Sequence, residues 1–368
     1  MTHVVFDLHG GGLESLIAGL VRGLATSEVQ SSVITLGGRA GRVGDSLRPL
    51  LAHLDVLHPM RGVSMLAPVG LVRALRRQRP HVVHLHSGAW FKPAYGTRLA
   101  GRAAIVFTEH GRVHYDPWSQ RLLDRIAARW TSRIVAVSHT LAQYLAEVVK
   151  VPAERIRVIE NGVDLTRFFP GPRPDGLRQQ LGLPANAVVV GAIGRLEHVK
   201  GYDLLIQAFS RVRPAESAGQ PRYLVIGGEG SEREALADLA RSVGVADRVI
   251  LPGWLDDPAD LYRLFDVFAV SSRSEGLSLS LLEAMACGIP PVVTDVGANR
   301  LVLGSELDFL AHTPTDWTGF AVTVDRLLGD PDLRRRIASE ATRRVTERFS
   351  LARVVDQYHA LYEELTPP

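Results

Sequence analysis

At 368 residues the chain is too long for one ordinary domain and predicts two. Its 46% hydrophobic and 22% charged residues are those of a soluble globular enzyme, and no apolar run approaches the about 18 residues needed to span a bilayer. A single cysteine, Cys287, excludes an internal disulfide and any multi-cysteine metal site, and cytoplasmic residence fits. The net charge of +3 is uneven: residues 1–165 carry 20 Lys+Arg against 12 Asp+Glu, and the remainder carries 22 against 27. A basic first half predicts an anionic partner, either a phosphorylated small molecule or an anionic membrane surface. Nucleic acid is not expected, because no binding motif and no basic–aromatic interleaving is present.

The opening MTHVVFDLHGGG has no basic segment followed by a long apolar run, and reads as a first strand, Val4–Leu8, leading into a glycine loop. An amphipathic helix is predicted over Glu14–Ala25, and further strands over Ser32–Leu36, His81–His86, Ile105–Glu109 and Ile134–Ser138. Helical stretches between them cover Val69–Gln78, Trp118–Thr131 and Leu141–Val149. His84 and His86 share one strand face, and His110 and His114 lie near the next strand's end. Four such histidines admit a zinc site and a hydrolase, but no carboxylate is found to complete one. Trp90, Phe91 and Tyr95 either stack on a sugar ring or pack a loop. The arginines of LVRALRRQRPH (71–81) and RLLDRIAARWTSR (121–133) suit a membrane surface or a solvated helix face.

Pro and Gly concentrate in FFPGPRPDGLRQQLGLP, which places a domain boundary near 165–185. Beyond it, strands are predicted over Val188–Gly194, Tyr223–Gly227, Val249–Leu251, Val267–Ser271 and Pro291–Thr294. Helices alternate with them over Gly201–Arg211, Glu232–Val243 and Leu279–Cys287, and a last amphipathic helix reads FSLARVVDQYHALYEEL. This alternation in both halves argues for an α/β protein with parallel sheets covered on both faces.

Two segments of the second half carry chemistry. In SRSEGLSLSLLEAMACGIPPVVTD a strand gives way to a loop and then a helix, the place where ligands collect in an open parallel sheet. Glu275 in that loop and Glu283 on the helix can accept hydrogen bonds from sugar and ribose hydroxyls, and Gly276 lets backbone amides approach a phosphate. Read in isolation, the same residues are a loop glutamate and a solvated helix glutamate. In GAIGRLEHVKGYDLLIQAF a strand and glycine turn are followed by Arg195 and Lys200 ahead of a helix, a pairing that suits a diphosphate or an exposed basic loop.

GRLEHVKG and EGLSLSLLEAMACGIPPVVTDVG, in that order and spacing, resemble the family 4 type of retaining glycosyltransferases, which have the GT-B fold. GGGLES (10–15), VFTEHG (106–111), VAVSHTLAQYL (135–145), VIENGVDLTRFFP (158–170), YLVIGGEGSEREALADLA (223–240), VILPGWLDDPADLYRLFDVFAVSS (249–272) and RFSLARVVDQYHALY agree with it, so the resemblance covers essentially the whole chain. It implies two facing Rossmann-like domains. Residues 1–167 form an acceptor domain, to which the helix 350–366 crosses back, and 168–349 form a nucleotide-sugar domain.

The resemblance also implies roles. Arg195 and Lys200 bind the donor diphosphate, Glu275 contacts the transferred sugar, and Glu283 holds the nucleotide ribose. Gly276, Leu277 and Ser278 line the donor loop, Gly11 and Gly12 lie near the donor phosphates, and His110 lies beside the reacting sugar. No metal and no cofactor beyond the nucleotide-sugar donor is expected; the acceptor would be a sugar or a lipid-linked group. Three departures surround the donor pocket: Leu301 stands where many relatives have glutamate, LDFL at 307–310 lacks an expected glycine, and Ser278 replaces the commoner Pro or Gly. A catalytically silent nucleotide-sugar binder, a phosphorylase and an epimerase are the alternatives within such a fold.

Overall fold

The computed structural model describes residues 1–366 apart from Gly10, Glu28, 59–67, Ala89, 112–115, 214–218 and Asp256. His114 and the first glycine of the GGG loop therefore lie outside the described residues. The chain divides into two compact units, one of Met1–Gly162 with Leu351–Pro368 and one of Val163–Ser350.

The first unit is built on seven strands: β1 (Thr2–Val5), β2 (Ser32–Thr35), β3 (His53–Val56), β4 (Val82–His86), β5 (Ala104–Glu109), β6 (Arg133–Ala136) and β7 (Ile156–Val158). They pair in the order β3-β2-β1-β4-β5-β6-β7, all parallel. The second unit has six: β8 (Val188–Ile193), β9 (Arg222–Gly227), β10 (Val249–Gly253), β11 (Val267–Val270), β12 (Pro291–Thr294) and β13 (Ala311–His312). Their order is β10-β9-β8-β11-β12-β13, again all parallel. Central strands such as VVHL and VVVGAI are buried on both faces, which is why they are continuous apolar runs rather than alternating ones.

Each sheet reverses its direction of growth once, between β1 and β4 in the first and between β8 and β11 in the second. At such a switch point neighbouring strand-to-helix loops diverge and leave a crevice at the carboxyl ends of the strands. These two places position everything that follows.

Several elements differ from expectation. Strands β3, β7 and β13 give no sequence signal: β3 is an edge strand of mixed polarity, and the others are three and two residues long. β1 ends at Val5 rather than Leu8, because the Phe6 and Leu8 carbonyls leave the sheet and accept from Gly37 and Val43. Phe91 and Tyr95 belong to a helix, Phe91–Ala100, where both rings pack against Trp130. Trp90 is buried, stacks on Phe107 with centroids 4.0 Å apart, and donates from Nε1 to Thr131 Oγ1. Trp90 is therefore a core residue, whereas Phe91 and Tyr95 pack on Trp130 and stay partly exposed.

The last helix, Leu351–Leu365, belongs to the first unit. It lies against the helix Gly12–Leu24, whose Gly19 and Gly23 leave room for Leu351 and Val355; a Cβ would come within 2.5 and 2.6 Å of those side chains. Its buried face carries Tyr358 and Tyr362. Tyr362 Oη meets His84 Nδ1 at 2.7 Å, His84 Nε2 meets Thr108 Oγ1 at 2.7 Å, and Tyr358 Oη meets the same Oγ1 at 3.0 Å. His84, Thr108, Tyr358 and Tyr362 are thus paired across β4, β5 and the last helix, which fixes the helix in register. Among the described residues no helix is long and apolar enough to cross a membrane.

Candidate active site

In the second unit, the loops after β8 and β11 meet at the switch point. After β8 the chain makes a short turn, His198–Lys200, and enters the helix Tyr202–Ser210 through Gly201. Gly201 has φ of +63°, and a Cβ there would lie 2.1 Å from the Ser271 carbonyl oxygen, so only glycine lets this loop close onto the end of β11. Ser271 Oγ donates to the Lys200 carbonyl at 2.9 Å, and the Arg273 N–H donates to the Val199 carbonyl at 2.8 Å. The Arg273 guanidinium reaches back to His198 O and forms two bonds of 2.7 and 2.6 Å to Asp203. This fork holds the Asp203 carboxyl below its usual range.

The result is that Lys200, 75 residues away in sequence, donates from Nζ to Glu275 Oε1 at 2.7 Å. Ser272 Oγ donates to the same oxygen at 2.7 Å. Both charged side chains are partly accessible, so a cation and a carboxylate sit together at the mouth of the crevice. Glu275 is supported from below by Gly297, with φ of +57°, whose Cβ would stand 2.2 Å from the Glu275 carbonyl oxygen. The Ala298 N–H also donates to Gly276 O at 3.0 Å. Leu277 and Ser278 are buried in this loop. Ser278 is the N-cap of the helix Leu279–Ala286, its hydroxyl accepting from Leu281 N–H, which gives a reason for serine at that position.

Glu283 lies on that helix and accepts from Tyr262 Oη at 2.6 Å. Desolvation pushes its carboxyl up from 4.5 to about 7, against the opposing pull of Tyr262 and Arg167. Arg195 is exposed and donates to Glu197 Oε1 at 2.8 Å. Leu301 sits half-buried in the short helix Asn299–Leu303, its carbonyl accepting from Arg344.

In the first unit, Gly11 precedes and Gly12 opens the helix Gly12–Leu24 that follows β1. His110 follows β5. Its N–H donates to Ser87 Oγ at 2.6 Å, and Ser87 in turn donates to Glu109 Oε1 at 2.7 Å, so the ends of β4 and β5 are clamped together. His110 Nε2 meets His86 Nδ1 at 3.1 Å, and His86 Nε2 meets His3 Nδ1 at 3.0 Å. His3, His84 and His86 are fully buried. Burial lowers His3 and His110 to about 3, and burial with mutual repulsion takes His84 and His86 well below the ordinary imidazole range. Ring nitrogens of His3, His84 and His86 lie within 4.8 Å of one another, the spacing of a three-imidazole metal site. Both nitrogens of His84 and of His86 already have protein partners, however, so a metal would have to displace them.

Sequence reasoning missed Ser87, His3, Ser272 and the Arg273–Asp203 fork. Ser272 and Arg273 open the quoted glutamate segment and could have been weighed with it. His3 and Ser87 gave no signal, because only the strand order brings β1 and β4 together.

Two parallel, doubly wound sheets with polar groups gathered at their switch points define a two-domain α/β protein built to bind small ligands at the carboxyl ends of its strands. Residues 175–344 match the family described as Glycosyl transferases group 1, and residues 10–167 match Glycosyltransferase Family 4. The chain is 30% identical to the D-inositol 3-phosphate glycosyltransferase of Salinispora arenicola, over 98% of this chain and 80% of the relative. It is 35% identical to the enzyme of that name from Gordonia bronchialis, over 80% of this chain and 68% of the relative. Among solved structures, a glycosyltransferase from Rickettsia africae superposes with a TM-score of 0.83 at 20% identity, covering 99% and 98% of the two chains. Anabaena Alr3699/HepE in complex with UDP and glucose does so with 0.83 at 22% identity, covering 99% and 100%. The chain belongs to the group 1, family 4 glycosyltransferases, with their GT-B fold, and is an enzyme.

Proposed function

We propose that this enzyme moves a sugar from a nucleoside diphosphate sugar to an acceptor hydroxyl with retention of anomeric configuration, in the assembly of a polysaccharide, glycolipid or other glycoconjugate. The observation that carries the proposal is the Lys200–Glu275 pair at the switch point of the second sheet. Breaking the anomeric C–O bond leaves positive charge on the sugar and negative charge on the departing diphosphate. Lys200, with Arg195 swinging from Glu197, stabilises the latter; one well-placed donor contributes ~3 kcal/mol in comparable sites. Glu275 accepts from hydroxyls of the transferred sugar and Glu283 from those of the ribose. Gly276, Leu277 and Ser278 shape the loop between them, Gly11 and Gly12 attend the phosphates, and His110 serves the reacting sugar.

UDP and UDP-glucose occupy HepE, which makes uridine donors the first to try. The cations that would do a metal's work favour a metal-independent reaction. Purified enzyme incubated with a panel of nucleotide sugars should slowly hydrolyse one of them and retain that activity after exhaustive EDTA treatment. Binding without turnover would instead make this a silent nucleotide-sugar binder, and product epimers would make it an epimerase. Loss of activity on chelation, with zinc in the protein, would bring back a metal-dependent reading.

A further inference from the structure

Three histidines of the first unit form a connected series of which the proposed reaction uses only the outermost, His110. His3 on β1, His86 on β4 and His110 after β5 are linked nitrogen to nitrogen, at 3.0 and 3.1 Å, across the switch point of the first sheet. Their rings stack, with centroids 5.3 Å apart for His3–His86 and 5.4 Å for His86–His110. His84 stands beside the series rather than in it, since its two nitrogens face Tyr362 and Thr108.

Burial keeps all of these rings neutral, so each carries one N–H and one lone pair. Each nitrogen–nitrogen contact then needs one donor and one acceptor, and the series has only two self-consistent polarities. With protons facing outward, His3 donates from Nδ1 to His86 Nε2, and His86 donates from Nδ1 to His110 Nε2. The inner end is then a bare lone pair on His3 Nε2. With protons facing inward, the inner end is an N–H on His3 Nε2. That atom is buried and has no hydrogen-bond partner among the described residues. Stranding an N–H in the interior is the rarer outcome, and acceptors with an unused lone pair are better tolerated.

We propose that His3 and His86 are positioning residues that hold His110 as a single tautomer, with Nε2 accepting from His86 and Nδ1–H presented to the substrate as a hydrogen-bond donor. The consequence is selectivity for an oxygen acceptor at that point: a sugar hydroxyl oxygen is matched, and a donor group is refused. No proton needs to travel along the series; its role is to fix where one proton sits before substrate arrives, as the partner of a catalytic imidazole commonly does. Its effect on turnover rests on the proposed role of His110; the tautomer itself does not.

The test is long-range proton–nitrogen correlation of the imidazoles in the full-length, nitrogen-15-labelled protein, with His110 assigned by His110→Gln. The parent protein should show His110 as the neutral Nδ1–H tautomer from about pH 5 to about pH 8. In His3→Phe, with folding checked by thermal melting, the His110 signals should move to a mixture with the Nε2–H form. Turnover should fall at least about fivefold while the Kd for UDP stays within about twofold. An Nε2–H tautomer in the parent overturns the inference without recourse to any variant, so a failure of His3→Phe to fold does not shelter it. An unchanged His110 pattern in folded His3→Phe overturns it too, as does one equivalent of metal held by His3 and His86 in the purified protein. A shifted tautomer with unchanged turnover upholds the positioning and refutes the assignment of His110 to the reaction.

Discussion

Lys200 and Glu275 are each ordinary as side chains, and what distinguishes them is that neither is free of the other until a ligand divides them. In the proposed reaction a diphosphate arriving at Lys200 would compete with the Glu275 carboxylate, which would then be released to accept from sugar hydroxyls. Lys200→Ala should therefore lower kcat/KM at least about tenfold, some ~1.4 kcal/mol of transition-state stabilisation, in a folded protein. Unchanged donor kinetics would remove this cation from the mechanism. Glu283 allows a sharper test, because its folded-state pKa of about 7 lies above its value of 4.5 in the unfolded chain. A raised carboxyl contributes stability that is fully present below the unfolded value and is lost as pH rises through the folded one. Glutamine mimics the protonated form and can still accept from Tyr262. Glu283→Gln should thus melt above the parent at about pH 8, with the gap closing toward about pH 5. The same variant should bind free nucleoside diphosphate more weakly, whereas Glu275→Gln should leave that affinity nearly unchanged and depress turnover. Calorimetry with free nucleotide and intact donor separates the two roles; equal weakening by both substitutions would refute the division.

At the scale of elements, the donor loop stands on backbone geometry as much as on side chains. Gly297 turns under Glu275 at a left-handed φ, and any Cβ there meets the Glu275 carbonyl, which is backbone and cannot swing away. Gly297→Ala should cost about 1 kcal/mol or more in conformational strain alone, and displace the Glu275 loop besides. The expected outcome is a folded protein with a lowered melting temperature and donor affinity reduced at least about tenfold, read by calorimetry. Normal donor binding would mean that the loop can be held without this turn. The last helix is a second such element. Its tyrosines complete the hydrogen bonds of His84 and Thr108, so the face of the first sheet that carries the histidine series is sealed by residues from the far end of the chain.

Over the whole molecule the charge is divided unequally, and the basic first half supports the proposal of contact with an anionic membrane surface. Several of the arginines expected to make that contact are already engaged with protein partners. Arg77 pairs with Asp55, Arg76 donates to Leu99 O, and Arg125 donates to the Val148 and Val149 carbonyls. Arg79 and Arg102 remain exposed, on the rim of an open concavity of about 690 Å³ at the amino-terminal ends of β4 and β5. Attraction of this kind is screened within a Debye length of about 8 Å at physiological salt. The enzyme should co-sediment with vesicles rich in phosphatidylglycerol at low ionic strength, leave them on addition of salt, and ignore neutral vesicles. Arg79→Ala with Arg102→Ala should weaken the binding. Equal affinity for neutral vesicles, or none for either, would dispose of the electrostatic contact.

The amino-acid sequence by itself determined the alternation of strands and helices, the parallel α/β class and the family. Those depend on local periodicity and on the motifs around Lys200 and Glu275, which a chain displays in one dimension. It also marked His110 and the paired histidines of β4. Strands β3, β7 and β13 were not legible, because edge strands and strands of two or three residues carry too few side chains to show a period. The tertiary structure alone decided which residues meet: Lys200 with Glu275 through two glycine turns, Ser87 with the end of β5, and His3 with His86. It also decided that Trp90 is core and that Arg195 rests on Glu197. The physical reason is the strand order. Jumps from β1 to β4 and from β8 to β11 join segments 81 and 75 residues apart, judged by Thr2↔Val83 in the first sheet and Lys200–Glu275 in the second, and no local pattern records such a pairing.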